Sequence, residues 1–344
     1  MTAGVVCLAF GEPAEPDRGA VVDYLEAIFR QNAELESPAS DAEADARARQ
    51  LAERRAPGLL EEYAAIGGSP LNEQAAATAD ALAHELADRG RDVETYLGLQ
   101  YTEPSIEAAV EAARSDGVDR LVGLPLFPLC GPSTSVAALA ELRTAADRPL
   151  EELSGWHRHP GYPRLRADNV ATVAAERGLD LTDPGTALVC SAHGTPIHYL
   201  EDGSRYRTYV EEFCDALAAL LGLEDYVLGY QNHANRDVPW TEPDVEDAVA
   251  DLDAERIVVE PVSFLHEQSE TLVELDDELR VEAEAQGLDF HRVPVPHDDP
   301  RIPALLADLV EPLLAGVDPG TYNLRACACR DGAVCLNAPL PGGT

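Results

Sequence analysis

The chain repeats itself. Val5-Val-Cys-Leu-Ala-Phe-Gly-Glu-Pro13 recurs as Leu188-Val-Cys-Ser-Ala-His-Gly-Thr-Pro196. Gly98-Leu-Gln100, followed by Thr102-Glu-Pro-Ser-Ile-Glu-Ala-Ala-Val110, recurs as Gly229-Tyr-Gln231, followed by Thr241-Glu-Pro-Asp-Val-Glu-Asp-Ala-Val249. Asp119-Arg-Leu-Val-Gly-Leu-Pro125 recurs as Glu255-Arg-Ile-Val-Val-Glu-Pro261. Three matches in one order restrict the fold to two similar units. Within each, short apolar runs alternate with helix-period segments, the pattern of β-α-β units and a parallel sheet. The expected fold class is α/β, with two similar domains that each carry a small parallel sheet flanked by helices.

The repeat also places candidate chemistry. Ala187 to Cys190 reads as a buried strand that Gly194 and Pro196 stop abruptly, leaving His193 on the loop at its C-terminal edge. In open parallel sheets ligands bind at that edge. Phe10 holds the equivalent loop in the first half, so paired halves set it across a cleft from His193. The first half is longer, with 92 residues from Phe10 to Thr102 against 48 from His193 to Thr241. That surplus is expected as a helical lid over the cleft at about 20–66. The pattern loosens near Pro149 to Pro163. The first lobe is accordingly expected over 1–150, the second over 151–316, and a cysteine-containing tail over 317–344.

Beyond the strand at Arg256 to Val262, Glu270, Glu274 and Glu278 stand four apart. Residues at i and i+4 share a helix face, so three carboxylates form one ridge. A solvated acidic face would look the same, but this ridge starts at the ligand edge. A row of acids leading into a pocket suits a divalent cation or a proton relay. An imidazole facing it titrates near neutral pH and can exchange a proton for a metal.

Composition limits the partners. The formal net charge is −38, spread along the whole chain rather than gathered in a tail. Such a surface stays hydrated in concentrated salt, where its self-repulsion is screened, and a halophilic source is expected. Nucleic acid and anionic membranes are excluded as partners by the same field. The apolar run after Met1 is short and lacks a basic flank, so no secretory leader is expected and the cytoplasm is the default. No run reaches the ~20 apolar residues of a spanning helix, which rules out stable membrane insertion. In this setting the seven cysteines read as buried thiols or metal ligands before disulfides. Cys7, Cys190 and Cys214 fall in strand or helix patterns and are expected in the core, whereas Cys327, Cys329 and Cys335 crowd the tail.

Several of these stretches together resemble the ferrochelatases, which insert ferrous iron into a porphyrin. They are Ser191-Ala-His-Gly-Thr-Pro196, Phe264 with Glu270-Thr-Leu-Val-Glu-Leu-Asp276, Ile66-Gly-Gly-Ser-Pro-Leu71, Tyr230-Gln-Asn232 with Pro239-Trp240, and the Pro128 to Thr134 loop. The resemblance covers nearly all of residues 1 to 315. It implies two Rossmann-like domains with a porphyrin cleft between them, Fe²⁺ as the substrate metal, and a lyase-type role in heme biosynthesis. It implies His193 as active-site base and metal-proximal ligand, with Glu270 facing it across the macrocycle. Glu274 and Glu278 would continue an acidic ridge on a partly π-type helix. Phe10, Ser133, Thr134, Tyr199, Tyr230 and Trp240 would meet the porphyrin; the aromatic ones are otherwise core residues.

The chain departs from the family at two points. Glu267-Gln-Ser-Glu270 replaces the Asp-His-x-Glu of many members, and Phe10 replaces a Tyr that can ligate iron in relatives using coproporphyrin. Both coproporphyrin III and protoporphyrin IX stay open as substrates. Several members also hold a [2Fe–2S] cluster on three C-terminal cysteines and one from the first domain, which here implies Cys327, Cys329, Cys335 and Cys130. Zinc suits such thiols equally. Two other readings compete, a class II cobalt or nickel chelatase and a tetrapyrrole or metal carrier without turnover. The first usually shows a second His where Glu270 stands.

Overall fold

The structure, a computed structural model, describes residues 2–14, 16–33, 40–232, 238–316, 325–326 and 334–335. β1 (Ala3–Ala9) buries all seven of its residues, as a strand covered on both faces must. It lies parallel between β2 (Val93–Leu99) and β3 (Arg120–Pro125), with β4 (Leu150–Glu152) outside β3. In the second half β5 (Thr186–His193) lies between β6 (Val227–Gln231) and β7 (Arg256–Pro261), with β8 (Asp289–Arg292) outside β7. The orders β2-β1-β3-β4 and β6-β5-β7-β8 are one permutation used twice, so the sequence repeat is a repeat of topology. β4 carries the first sheet to Glu152, just past the boundary expected at 150.

The helices repeat as well. α4 (Ile106–Ser115) and α5 (Ala137–Ala145) pack Ile106, Val110, Leu139 and Leu142 on Val6, Leu8 and Leu121. α9 (Val245–Ala250) and α10 (Arg280–Ala285) do the same for Val189, Ile257 and Val259 of the second sheet. The opposite faces share one continuous apolar core. It takes in α3 (Leu71–Asp88), α6 (Gly161–Arg177), α8 (Tyr206–Leu221) and α11 (Arg301–Leu314). Between β5 and α8 lies the one-turn α7 (Ile197–Glu201). A π-helical segment follows the third strand of each sheet, Pro132–Val136 after β3 and Glu270–Leu279 after β7.

The surplus of the first half is a helical hairpin, α1 (Arg18–Gln31) and α2 (Asp41–Ile66). Asp17 caps α1 by accepting from the Ala20 amide, and Ser40 caps α2 by accepting from the Glu43 amide. The hairpin has its own apolar core, built around Val22, Leu25, Phe29, Leu51, Leu59 and Tyr63. At the N-terminal edge of the sheets α11 ties the lobes together. Arg89, after α3, bonds Asp308 at 2.6 Å and Glu311 at 2.9 Å. Arg120, at the start of β3, donates to the Leu313 carbonyl at 2.9 Å. The lobes are thus fastened at one edge and open at the other, where the strands end in Phe10 and His193.

Candidate active site

The C-terminal edges of β1 and β5, the α1–α2 hairpin and both π segments border one cleft with about 1710 Å³ of atom-free space, its open mouth included. The two strand-end loops both turn on glycine. Gly11 has φ +84°, and a Cβ there would stand 2.9 Å from Leu99 Cβ and closer still to Thr102 Oγ1. A Cβ on Gly194 would stand 2.9 Å from the Gln231 carbonyl oxygen and would overlap the Asn232 side chain. In neither loop is there room for a side chain at the bend. Phe10 then packs edge-on to Tyr101, with centroids 4.5 Å apart, and to Tyr24 at 6.4 Å. Its ring forms an aromatic wall.

His193 is held at four points. Its N–H donates to Ser263 Oγ at 2.9 Å, and its carbonyl accepts from the Tyr206 hydroxyl at 3.0 Å. Its Nδ1 lies 2.5 Å from the Gly194 carbonyl, and its Nε2 lies 3.1 Å from Glu270 Oε1. A carbonyl can only accept, so Nδ1 carries a proton, and the carboxylate at Nε2 favours a second. Burial by itself would lower the imidazole pKa. The Glu270 carboxylate overrides it, with help from Glu274 and the Gly194 carbonyl, and pushes it up to about 9. At neutral pH the ligand-free pair therefore holds one more proton than a neutral imidazole beside a carboxylate. When Nε2 loses that proton, the Nδ1–H tautomer leaves a lone pair aimed into the cleft.

Glu270, Glu274 and Glu278 lie along the Glu270–Leu279 π-helix. Its wider i→i+5 turn keeps residues four apart close to one line. Glu270 and Glu274 face the cleft, while Glu278 is exposed beyond it. Gln231 organises the start of the ridge. Its Nε2 donates to the Glu270 carbonyl at 2.8 Å and to Glu274 Oε2 at 2.9 Å, and its Oε1 accepts from Ser191 at 2.9 Å. Gln268 donates to Glu270 Oε2 at 2.5 Å. Burial raises the Glu278 carboxyl, and the Glu62 carboxylate on α2 raises it further. The acidic line is thus flanked by the hairpin.

Of the other expected residues, Phe10, Ser133, Thr134, Tyr199 and Trp240 line the cleft. Tyr199 donates to Asn32 Oδ1 at 3.1 Å, and Ser133 donates to the same atom at 3.4 Å. Tyr230 is a correction. It is 1% exposed in the shared apolar core. Alternation along β6 sends Tyr230 into that core and turns Gln231, also buried, towards Glu270 and Glu274 behind the cleft wall. Cys130 is 1% exposed in the same core, and nothing among the described residues supports the [2Fe–2S] expectation. Cys327 and Cys329 lie outside the described residues, and Cys335 lies on the short strand β10 (Val334–Cys335), antiparallel to β9 (Arg325–Ala326). Among the described residues no three His, Cys, Asp or Glu side chains converge as a ready-made metal centre. Cys7, Cys190 and Cys214 are buried, as their strand and helix patterns predict.

Three residues at or just behind the cleft wall escaped sequence reasoning. Gln231 had a signal, since it ends the repeated Gly-x-Gln. Asn32 had none. Glu12 stood inside a repeat as the counterpart of Thr195, and its acidity looked like that of the whole surface. It is in fact 4% exposed. Burial pushes its carboxyl up, bonds from Ser269 and Ser69 pull it back, and Glu270 adds to the rise. His266 also borders the cleft, with Nε2 3.0 Å from Thr78 Oγ1; burial holds its pKa down at about 3, so it stays neutral.

A family model described as Ferrochelatase matches residues 2–313. A protein named ferrochelatase from Synechococcus sp. (strain RCC307) is 38% identical over 286 residues, covering 78% of this chain and 72% of its own length. One of the same name from Gloeobacter violaceus is 36% identical over 254 residues, covering 69% and 76%. Among solved structures, CbiX, described as the terminal enzyme for biosynthesis of siroheme in denitrifying bacteria, superposes with a TM-score of 0.51 at 18% identity, covering 92% of this chain and all of that one. SirB from Bacillus subtilis with Fe³⁺ gives 0.52 at 10% identity, covering 92% and 97%. At such identities the likeness is one of fold.

Proposed function

The chain belongs to the ferrochelatase family, and from that premise we propose how its cleft exchanges two pyrrole protons for ferrous iron. One observation carries the reading: an imidazole and a carboxylate 3.1 Å apart close one side of a cleft whose other walls are largely aromatic and aliphatic side chains with a few hydroxyls. The porphyrin is the substrate ring and Fe²⁺ the substrate metal, and the overall exchange releases two protons per iron inserted. The ring lies between the Phe10 and Ser133–Thr134 side and the His193–Glu270 side. Peripheral contacts hold it there and meet the cost of distorting it.

The ligand-free His193 is held protonated by Glu270. A divalent cation on Glu270 and Glu274 withdraws that support, so arrival of iron on the ridge releases the His193 Nε2 proton to solvent through the cleft mouth and leaves the neutral form that can take a pyrrole proton. The second proton goes to the acid ridge. Gln231 keeps Glu270 and Glu274 at the cleft, and Glu278 leads outward to solvent. Among the described residues no helix is long and apolar enough to cross a membrane.

The test is anaerobic metallation of coproporphyrin III and protoporphyrin IX in parallel, followed by the change in porphyrin absorption with Fe²⁺. Multiple turnovers with either ring, lost in His193→Ala, support the proposal. Stoichiometric binding without turnover of either ring would refute it.

A further inference from the structure

Glu12 takes the same place in the first half that Thr195 takes in the second. Thr195 stays within its own lobe, where its N–H donates to Thr241 Oγ1 at 3.1 Å and its carbonyl accepts from the Thr241 N–H at 3.0 Å. Glu12 reaches out instead. Its Oε1 accepts from the Tyr63 hydroxyl at 3.1 Å and from the Ser269 hydroxyl; its Oε2 accepts from the Ser269 N–H at 3.2 Å and from the Ser69 hydroxyl. Four donors fill both oxygens of the buried carboxylate. They come from three places: the end of the α2 hairpin helix, the Gly67–Pro70 loop, and the residue immediately before Glu270. Asn72 locks the Glu12 backbone, donating to its carbonyl at 2.8 Å and accepting from its N–H at 2.9 Å.

A π-helix that begins with its functional carboxylate has a problem at its first turn, where the backbone N–H groups lack intrahelical partners. Ser269 stands at that point, 9% exposed, and Glu12 accepts from both its N–H and its hydroxyl. The direction of Glu270 depends on how this residue is held, and the group holding it belongs to the other lobe and is tied to the hairpin.

Building on the ferrochelatase reading, we infer that Glu12 is a positioning residue. It clasps the hairpin to the start of the π-helix, so that docking of the hairpin and the aim of Glu270 at His193 are one event. Glu12 touches neither ring nor metal in this role. A misplacement of about 1 Å at a reacting group can cost on the order of 100-fold in rate, which sets the scale of the effect.

The test compares Glu12→Ala, Glu12→Gln and Ser269→Ala with the wild type in two measurements. In steady-state metallation, Glu12→Ala is expected to lower kcat about 10- to 100-fold while KM for the porphyrin stays within about threefold. Glu12→Gln recovers most of the rate, because hydroxyl donors can rotate to meet the amide. Ser269→Ala falls between them. In hydrogen exchange on the ligand-free protein, Glu12→Ala is expected to speed exchange in residues 60–71 and 265–272 together and to leave β5 unchanged.

Wild-type kcat in folded Glu12→Ala would overturn the inference. So would faster exchange confined to the Glu12 loop, or a Glu12→Gln variant as slow as Glu12→Ala. A wild type that metallates neither porphyrin would instead remove the catalytic reading, and the exchange data would then decide by themselves whether Glu12 joins the two segments.

Discussion

The two halves put equivalent backbone to different use. β1 and β5 end in loops with a glycine at the same position, left-handed at Gly11 but not at Gly194, and one presents Phe10 and the other His193. The π segments differ likewise, with Ser133 and Thr134 after β3 and Glu270 and Glu274 after β7. Behind the loops, Leu124 and Glu260 occupy matching strand positions. Leu124 is simply core, whereas Glu260 pairs with Arg166, and both members of that pair are fully buried. Arg166 also donates to the carbonyls of Pro261 at 2.7 Å and Phe264 at 2.9 Å, fixing the loop whose Ser263 holds His193. Duplication supplies a two-sided cleft. On the proposed mechanism the first half grips and the second moves protons, and among the described residues the fully buried Arg166–Glu260 pair behind the second loop is matched by an apolar Leu124 behind the first.

Exchanging or removing the matched residues tests this division. The largest effect is expected at the strand-end loops. His193→Ala should cost on the order of 10²- to 10⁴-fold in kcat, the usual worth of a positioned acid or base. Phe10→Ala, at the equivalent position, should raise KM for the porphyrin with kcat largely kept. Comparable losses of kcat at both positions would break the comparison.

Next comes the brace. Arg166→Met alone leaves Glu260 buried without its partner and should destabilise the protein by about 3–5 kcal/mol in urea unfolding. Adding Glu260→Leu, which copies the first lobe's Leu124, should recover most of that loss. If the double variant is as unstable as the single one, the pair is not what separates the two lobes at this position.

The imidazole–carboxylate pair predicts a pH dependence. Because the folded pKa of His193 lies above its unfolded value, the pair's stabilisation is complete below an ordinary imidazole pKa of ~6.5 and is lost as pH rises through about 9. Glu270→Gln should bring the His193 titration, followed by NMR of the ring protons, down from about 9 towards the ordinary range. The melting-temperature gap between wild type and variant should close between neutral pH and pH values above that titration. An unchanged His193 titration would show that Glu270 does not hold the proton.

The smallest effect is expected at the first lobe's π turn. Ser133→Ala should raise porphyrin KM by roughly 2- to 10-fold, the range for one neutral hydrogen bond, and leave kcat alone.

Much of this was legible in the sequence, and the legible part is local. The order of elements, the hairpin inserted between the first and second repeats, and the glycine-hinged loops that present Phe10 and His193 all follow from periodicity and repeat register. Glu270 and Glu274 followed from spacing four apart and from their place after β7. Less legible was the direction in which a side chain turns once its strand has neighbours. Tyr230 and Gln231 are adjacent and both buried, and which of them reaches Glu270 and Glu274 depends on the pairing of β6 with β5. Cys130 sits in a loop whose composition looks exposed, yet both lobes bury it.

Sequence alone determined that there are two lobes, that they share a topology, and that a base and a row of acids end up at ligand edges. Those features arise from contacts within a few residues, or from strand order that a repeat makes visible. Tertiary structure alone decided that Glu12 would bond Ser269, 257 positions away, and that Gln231 would bridge Ser191 and Glu274. The first pairing is set by how the two lobes close on each other, the second by how β5, β6 and the π-helix after β7 come together within one lobe. An acidic residue on an acidic chain has no local mark to say whether it meets water or a buried row of hydroxyl and amide donors.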